Sequence, residues 1–313
     1  MINKFVLGLS LFCIVITSCK KETPGYVKNN LNFNASLSVD SVALGDTSSF
    51  LLSDNPDFIS FYSGELGHQY IYKDRTILDG GSLKVKYETR IQNKPADSSL
   101  DVLISTDFNG TYDSVNVASA NWKLISNKFV FPDPSASLSV FYPSGVTSAD
   151  FADLTDSVIP GQPFYYAYRY TNRTPSSIIW SIGKLGMYNV FPAEMAVPNA
   201  TVIDSNQINS GSFAGVKMGD SLSRWSTSST YLKCTNSSSS PIGAQYWYIS
   251  RPLNPSAVAP DAPIVIKNIT QNPLAVFKYK YNQPGVYKAT FVASYHRLNF
   301  EKTVIKEVNV IVY

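Results

Sequence analysis

Apolar and polar residues alternate with a period of two along much of this chain, and this alternation limits the folds that are open to it. In the clearest case, Leu31, Phe33, Ala35, Leu37 and Val39 alternate with polar neighbours. The pattern predicts a β-strand with one buried face. Pro, Gly, Ser, Thr and Asn are frequent between such segments, and no segment has a convincing helical period. We therefore predict an all-β protein of short strands joined by turns.

The alternating segments at each end of the chain are too few to bury a core by themselves. They are Leu31–Val39, Ser49–Leu52 and Phe58–Tyr62 near the N-terminus, and Val276–Tyr281, Val286–Tyr295 and Lys302–Tyr313 near the C-terminus. Together, residues 31–75 and 254–313 are close to the ~100 residues of one immunoglobulin-like domain. We predict that both ends form one discontinuous immunoglobulin-like β-sandwich.

The hairpin between two C-terminal segments has a distinctive sequence, Tyr281-Asn282-Gln283-Pro284-Gly285-Val286-Tyr287. Proline presets φ at the second position of a turn, and glycine tolerates positive φ. The sequence resembles the Y-x-x-P-G-x-Y signature of PKD-type immunoglobulin-like domains; a chance hairpin with the same letters is the alternative. The resemblance implies that the hydroxyl of Tyr287 bonds to nearby backbone as a tyrosine corner.

The middle of the chain, residues 76–253, contains seven further segments of strand character. They are Leu83–Gln92, Leu100–Thr106, Trp122–Phe131, Phe164–Tyr170, Ile178–Val190, Tyr231–Cys234 and Tyr246–Ser250. Seven or more strands without helices predict a jelly-roll β-sandwich, inserted into the first sandwich. Residues 199–244 are rich in Ser, Thr, Asn and Gly, which predicts long loops or a hairpin.

Several motifs of this region occur together. They are Asp101–Gly110, Ala120-Asn121-Trp122, Tyr166–Tyr170 and Ile179–Ile182, with Phe61–Glu65 before them and Trp247–Pro252 after them. The first four resemble the choice-of-anchor jelly-roll domains of Bacteroidota. With the flanking motifs, the chain from about residue 31 to 313 resembles the DUF5017-containing surface lipoproteins. Gly183 and Lys184 stand where the choice-of-anchor pattern usually has two acids, so no role of those acids is carried over.

The first nineteen residues are predicted to be a targeting signal. Lys4 precedes an apolar run, Phe5 to Ile16, which is shorter than the roughly 17 to 25 residues that span a bilayer. Residues 1–18 are therefore predicted to be a signal peptide. Ile16-Thr17-Ser18-Cys19 resembles the lipobox of bacterial lipoproteins, which implies lipidation of Cys19. An ordinary signal with an incidental cysteine is the alternative.

The lipobox resemblance also implies a location. Residues 19–30 would form a lipidated tether, and the acyl chains on one residue would hold the protein durably at the outer membrane. Lys20-Lys21-Glu22 partly resembles the surface-export signal of Bacteroidota lipoproteins, which favours the cell surface. No second apolar stretch approaches membrane-spanning length, so the lipid is the only membrane anchor that we predict.

Charge and cysteine content exclude two further classes of protein. The chain has 26 Lys and Arg against 23 Asp and Glu, which is too balanced for a nucleic-acid-binding surface. Cys13 leaves with the signal peptide and Cys19 is the predicted anchor, so Cys234 has no intramolecular partner. A disulfide framework is therefore excluded.

No local motif indicates catalysis, so we predict that the protein is not an enzyme and needs no cofactor. His68 and His296 are the only histidines, and neither has metal-ligand spacing. The acids lie mostly in turns, where no pair can be chosen as the facing carboxylates of a glycoside hydrolase. A structural Ca²⁺ on loop carboxylates and carbonyls is compatible with a jelly roll, but no spacing identifies its ligands.

The aromatic residues suggest a ligand. Sugars stack their apolar faces on Trp and Tyr, and the candidate ligand-binding residues are Trp225, Trp247, Tyr248 and Tyr62. Trp122 and Trp180 lie in predicted strands and are expected in the core. Together with the family resemblance, this predicts a glycan-binding accessory of polysaccharide uptake, binding an oligo- or polysaccharide and associated with an outer-membrane transporter. A structural or adhesive surface protein that contacts other proteins is the alternative.

Four sites match a modification pattern. Ser41, Ser114, Ser157 and Ser221 each follow an Asp and precede Val or Leu, which resembles the acceptor of Bacteroidota O-glycosylation. Asp-Ser also favours turns, so chance matches are the alternative. We predict modification at one or more of these serines.

Overall fold

The computed structural model describes residues 32–93, 99–132, 140–145, 151–175, 177–195, 197–203, 212–228, 231–297 and 300–313. Within these residues the protein is all-β, as the alternation predicts, and its strands form several antiparallel sheets arranged as sandwiches. The sole helix of more than one turn in the described residues is α1 (Ser114–Ser119). None of the described helices has the length and apolar character needed to cross a bilayer.

The strands are short in most of the chain and reach thirteen residues near its end. The first ten are β1 (Asn34–Leu37), β2 (Ser41–Val42), β3 (Ser48–Ser53), β4 (Phe58–Tyr62), β5 (Ser82–Gln92), β6 (Leu100–Ser105), β7 (Lys123–Leu124), β8 (Tyr142–Pro143), β9 (Ala152–Asp153) and β10 (Tyr165–Thr171). The other ten are β11 (Ile179–Val190), β12 (Ala200–Ile203), β13 (Phe213–Met218), β14 (Arg224–Thr227), β15 (Tyr231–Thr235), β16 (Gln245–Ser250), β17 (Ile264–Lys267), β18 (Val276–Tyr279), β19 (Gly285–Arg297) and β20 (Phe300–Val312).

Strands from the two ends of the chain pair with each other and form what we call the first sandwich. One sheet has the order β1-β3-β18 and the other the order β17-β4-β19-β20-β2. The inward positions supply an aromatic core in which Phe50, Phe61 and Phe291 are fully buried and pack with ring centroids 4.9 to 5.5 Å apart. The alternation of β19 explains this core, because every second residue from Tyr287 to Tyr295 faces it.

The predicted tyrosine corner is present at the β18–β19 connection. The hydroxyl of Tyr287 donates a hydrogen bond to the backbone oxygen of Gln283 at 2.9 Å. Tyr281 stacks on Tyr287 with ring centroids 4.5 Å apart and donates its hydroxyl to the backbone oxygen of Ser63 at 3.1 Å. The pair therefore ties the Pro284-Gly285 turn to the segment that follows β4.

The middle of the chain forms the second sandwich from two larger sheets. Sheet A has the order β13-β16-β10-β6-β7, and sheet B the order β14-β15-β11-β5-β8, with β12 paired to β11 and β9 to β5. The core between them contains the fully buried phenols of Tyr87, Tyr166 and Tyr168. Burial raises the pKa of all three hydroxyls, because the phenolate is poorly solvated inside a protein.

Two sequence predictions for this region were partly wrong. Residues 199–244 contain β12 and β13 as well as the hairpin of β14 and β15, so less of the segment is loop than predicted. Backbone pairing with neighbouring strands stabilises segments that are rich in Ser, Thr and Gly. Of the predicted strand Trp122–Phe131, only Lys123–Leu124 pairs, with β6. The short helix α1 was not predicted; Asp113 caps it by accepting a hydrogen bond from the backbone N–H of Asn116 at 2.8 Å.

Two chain segments, 64–81 and 253–263, run side by side between the sandwiches. Backbone hydrogen bonds join Leu78 to Ser256 at 2.8 Å and Asp261 to Tyr72 at 3.1 Å. The carboxylate of Asp261 is almost fully buried, accepts a hydrogen bond from the guanidinium of Arg75 at 3.1 Å and one from the backbone N–H of Gln69 at 2.8 Å. The Asp261 carboxylate therefore holds the two crossing segments, 64–81 and 253–263, together.

Candidate functional site

The structure separates the four aromatic residues that the sequence nominated as ligand contacts. Trp225 and Tyr248 face the interior of the second sandwich, where they stack at 5.3 Å with an interplanar angle of 9°. Phe213 continues the stack beyond Tyr248. Trp225 is only 8 % exposed and donates its indole N–H to the backbone oxygen of Tyr246 at 3.0 Å. The sequence nominated Trp225 as a ligand contact, but its indole points inward from β14 into the core.

Tyr62 is also buried, and it lies in the other sandwich. It is the last residue of β4 and packs edge-to-face on Tyr70 at 5.2 Å. Burial raises its pKa. Tyr62 therefore has no direct contact with the other three nominated residues, and the exposure that stacking on a sugar requires is lacking here too.

Trp247 alone among the four lies on the outward face of sheet A. There it belongs to a transverse row of the sheet, because Arg169 on β10 pairs with Trp247 on one side and with Asp101 on the other. The guanidinium of Arg169 lies over the Trp247 ring at 5.3 Å. Trp247 is only 4 % exposed, so its ring is covered by its neighbours instead of open to solvent.

Trp122 supplies the partly exposed ring that Trp247 does not. Its ring packs on Trp247 at 5.1 Å, and its indole N–H donates to the backbone oxygen of Val117 in α1 at 3.0 Å. The sequence placed Trp122 in a core strand, but it lies just before β7 and is partly exposed. The two indoles form the aromatic part of what we call the tryptophan platform, which comprises Asp101, Trp122, Arg169, Gln245 and Trp247.

The loop that carries Trp122 is closed by a side-chain clamp. Asp107 accepts hydrogen bonds from the hydroxyl of Ser105 at 2.8 Å and from the backbone and side-chain nitrogens of Asn121 at 2.9 and 2.6 Å. These hydrogen bonds lower the pKa of Asp107. Gly110, within the loop, has φ of +80° and no room for a side chain because the Tyr165 hydroxyl lies against it. The clamp gives a structural role to Asp107 in the motif Asp101–Gly110 and to Asn121 in the motif Ala120-Asn121-Trp122.

Asp101 and Arg169 form the charged part of the platform. The guanidinium of Arg169 donates two hydrogen bonds to the same oxygen, Oδ2 of Asp101, from Nε at 3.0 Å and from Nη2 at 2.7 Å. The side chains are 13 % and 26 % exposed, respectively. Such a pair presents a fixed carboxylate oxygen and guanidinium nitrogens beside an aromatic surface, which are the groups that bind sugar hydroxyls.

The platform continues into a groove at the end of sheet A. Gln245, two residues before Trp247 on the same face of β16, accepts the indole N–H of Trp247 at 3.0 Å and lines this groove. The groove has a volume of about 450 Å³ and is bordered by residues 218–220 and by Pro241, Gly243 and Ala244. A ligand that contacts the platform can therefore extend into the groove past the Gln245 amide.

Buried polar side chains hold the far wall of the groove. Asn172 donates its amide to the backbone oxygens of Ser240 at 2.5 Å and Pro241 at 2.9 Å, and it accepts a hydrogen bond from Asn236 at 2.9 Å. Ser223 donates to Asn236 at 2.9 Å. Because these groups are buried and mutually bonded, the wall is rigid rather than adaptable.

The remaining candidate groups are engaged in local structure. Asp153 and Asp156 pair with Lys84 and Lys128, and the imidazole Nδ1 of His68 lies 2.6 Å from the backbone oxygen of Ala262. Across the part of the chain that the structure describes, no group of three or more His, Cys, Asp or Glu side chains could hold a metal ion. Cys234 is buried in the core of the second sandwich.

The four serines of the modification pattern differ in exposure. Ser41 and Ser114 are exposed, at the start of β2 and of α1. Ser157 is 8 % and Ser221 is 2 % exposed, so an enzyme could not reach either hydroxyl in the folded protein. Modification can therefore be retained as a prediction only for Ser41 and Ser114. Cys19, the predicted lipidation site, lies outside the described residues.

Sequence reasoning missed most of the platform. Asp101, Arg169 and Gln245 were not nominated, although Arg169 and Trp247 lie on strands that had been predicted. The signal that could have found them is the alternation itself. Arg169 and Trp247 each lie on the opposite face of their strand from the tyrosines that pack in the core between the sheets. The Asp107 clamp determines which residues on the outward face of sheet A are covered by the Trp122 loop. The spacing of residues in the sequence does not reveal this clamp.

Comparison with known proteins places the chain in a family but gives no function. No curated protein and no solved structure matches the chain significantly. The family described as "Domain of unknown function (DUF5017)" matches residues 18–207, more than half of the chain. This match includes Asp101, Trp122 and Arg169 but ends before Gln245 and Trp247. The chain therefore belongs to the DUF5017 family.

Proposed function

We propose that this protein is a non-enzymatic glycan-binding protein whose ligand contacts the tryptophan platform and the adjoining groove. The observation that supports this most directly is the partly exposed Trp122 ring, packed on Trp247 beside the fixed Asp101–Arg169 pair. An aromatic ring binds the apolar face of a sugar, while the carboxylate, guanidinium and Gln245 amide bind its hydroxyls.

The proposal extends to the fold and the location. We assign the first sandwich to the immunoglobulin-like, PKD-like class, supported by the Tyr287 corner, and the second to the jelly-roll class, supported by its two facing antiparallel sheets. Lipidation at Cys19 would hold the protein at the outer membrane with the second sandwich projecting outward. Delivery of bound oligosaccharide to an outer-membrane transporter is the role that this position favours.

Affinity electrophoresis tests glycan binding directly. The chain lacking residues 1–19 is run through gels that contain single neutral polysaccharides, and migration is compared with that in plain gels. We expect retardation by at least one polysaccharide. Trp122→Ala should weaken that binding about fivefold, since one aromatic contact contributes roughly 1 kcal/mol.

Two controls separate loss of a contact from loss of the fold. Phe300→Ala removes an exposed ring from the first sandwich and should leave binding unchanged. Gln245→Ala removes a groove contact without touching the Trp122 loop and should also weaken binding. If no polysaccharide retards the wild-type chain, the proposal fails and a structural or adhesive role is favoured. If Trp122→Ala and Gln245→Ala both bind normally, the tryptophan platform is not the binding site and the proposal fails in that form.

A further inference from the structure

The outward face of sheet B holds a lysine between two aromatic rings. The ammonium of Lys86 lies 4.9 Å from the Phe151 ring centroid and 5.9 Å from that of Tyr188. The two rings are 5.9 Å apart and meet edge-to-face. The cation is thus fixed by the rings, whose π-faces attract positive charge.

An arginine on the same strand repeats this arrangement. The guanidinium of Arg90 lies 4.7 Å from the Phe141 ring centroid and 5.9 Å from that of Tyr231, with the rings 6.0 Å apart. Lys86 and Arg90 stand on the same face of β5, four residues apart, so their Cα atoms are separated by roughly 13 Å. The face therefore presents two ring-held cations at a fixed spacing.

Glycines on the neighbouring strand make room for the rings. Gly183 and Gly186 of β11 pair with Glu88 and Lys86 of β5. A Cβ at Gly183 would lie 3.3 Å from the Phe141 ring, and one at Gly186 would collide with the Tyr188 ring. The rings of Phe141 and Tyr188 therefore lie against β11, and each is tilted or edge-on to its partner ring. All four rings are half-buried.

The charge of this face is unbalanced. Lys84 pairs with Asp153 and Lys184 with Glu88, whereas Lys86 and Arg90 have no carboxylate partner among the described residues. Lys233 adds a third cation, because it and Arg90 flank Ser181 from the two neighbouring strands. The Arg90 guanidinium makes one long hydrogen bond, 3.5 Å from Nη2 to the Ser181 hydroxyl, so most of its donors are uncommitted.

We propose that this face of sheet B is a second binding site, specific for a polyanionic polysaccharide. Carboxylate or sulfate groups of the polymer bind Lys86 and Arg90, and the sugar rings pack against the exposed parts of the four aromatic rings. A bilayer is the less suitable partner, because the four rings are half-buried and membrane binding depends on apolar surface that enters the lipid. The site is on the opposite sheet from the tryptophan platform and does not depend on it.

Matched pairs of polymers test the proposal, with the chain lacking residues 1–19 in affinity gels. The acidic members are polygalacturonate and dextran sulfate, and the neutral members are highly methyl-esterified galacturonan and dextran. We expect retardation by an acidic member only, weakening as salt is raised. Lys86→Gln combined with Arg90→Gln should weaken this binding about tenfold or more, since a charge-assisted contact is lost at each position.

Three further variants make the outcome decisive. Lys86→Arg with Arg90→Lys keeps both charges and should bind more tightly than the double glutamine variant, because the two positive charges are retained. Lys278→Gln with Lys288→Gln removes two charges from the first sandwich and should have no effect, and Trp122→Ala should leave acidic binding intact. The proposal is overturned if the double glutamine variant binds normally, if neutral polymers bind equally, or if anionic vesicles or DNA bind more strongly than both acidic polymers.

Discussion

The four tryptophans occupy four different environments, although all lie in the second sandwich. Trp180 is buried and donates its indole N–H to the hydroxyl of Ser99 at 3.0 Å. Trp225 is sealed in the inter-sheet stack, and Trp247 is covered from outside by Trp122 and Arg169. Only at Trp122 is an indole partly open to solvent, so the chemistry of the platform depends on one ring and the groups that fix it.

The lowered pKa of one carboxylate on sheet B, that of Asp153, makes the stability of the protein depend on pH. Burial raises the pKa of Asp153, but hydrogen bonds from Lys84 and Thr155 outweigh this and lower it to about 2. In the unfolded chain the group ionises near pH ~3.9. Its stabilising contribution is therefore complete above that pH and is lost as the pH falls through about 2.

Urea unfolding of Asp153→Asn measures this contribution. At about pH 6 the variant should unfold at lower urea concentration than wild type, and the difference should shrink as the pH is lowered towards about 3. A difference that stays constant, or grows, as the pH falls would contradict the assigned role of the Lys84–Asp153 pair.

At the scale of elements, the sandwiches are joined by two crossing segments fixed by one buried carboxylate. Asp261→Ala would leave the Arg75 guanidinium without its partner in a nearly dry site. Removing one member of a buried pair costs about 3 kcal/mol or more, so urea unfolding should show this loss. Asp74→Ala, which removes an exposed acid paired with Lys73 nearby, should change stability by less than about 0.5 kcal/mol. Equal effects of both variants would refute the anchoring role.

Sequence alternation predicted the elements whose two faces differ in polarity. The strands β4, β10, β16 and β19 fall close to their predicted ranges because each buries every second large residue. It failed for β13 and β14, where neighbouring strands stabilise segments of weak pattern. Alternation also could not locate the tryptophan platform. It distinguishes the buried face of a strand from the outward face, but it does not show where a loop covers the outward face.

At the scale of the whole molecule, the chain enters and leaves the second sandwich through the same pair of crossings. Both ends of the described chain therefore belong to the first sandwich, which would stand nearest the membrane if Cys19 is lipidated. Replacing Cys19 by Ala should release the protein from the membrane fraction into the soluble fraction, and incorporation of labelled fatty acid should disappear. Continued membrane association of the variant would contradict a lipid-only anchor.

The most direct test of the tryptophan platform follows the indole N–H signals in nuclear magnetic resonance spectra of nitrogen-labelled protein. The protein is titrated with a neutral polysaccharide that retards it in gels. The account predicts that the signals of Trp122 and Trp247 shift with ligand, because these indoles form the platform. Those of Trp180 and Trp225 should stay in place, since both are enclosed in the core. Shifts at Trp180 and Trp225 with none at Trp122 would contradict the central claim.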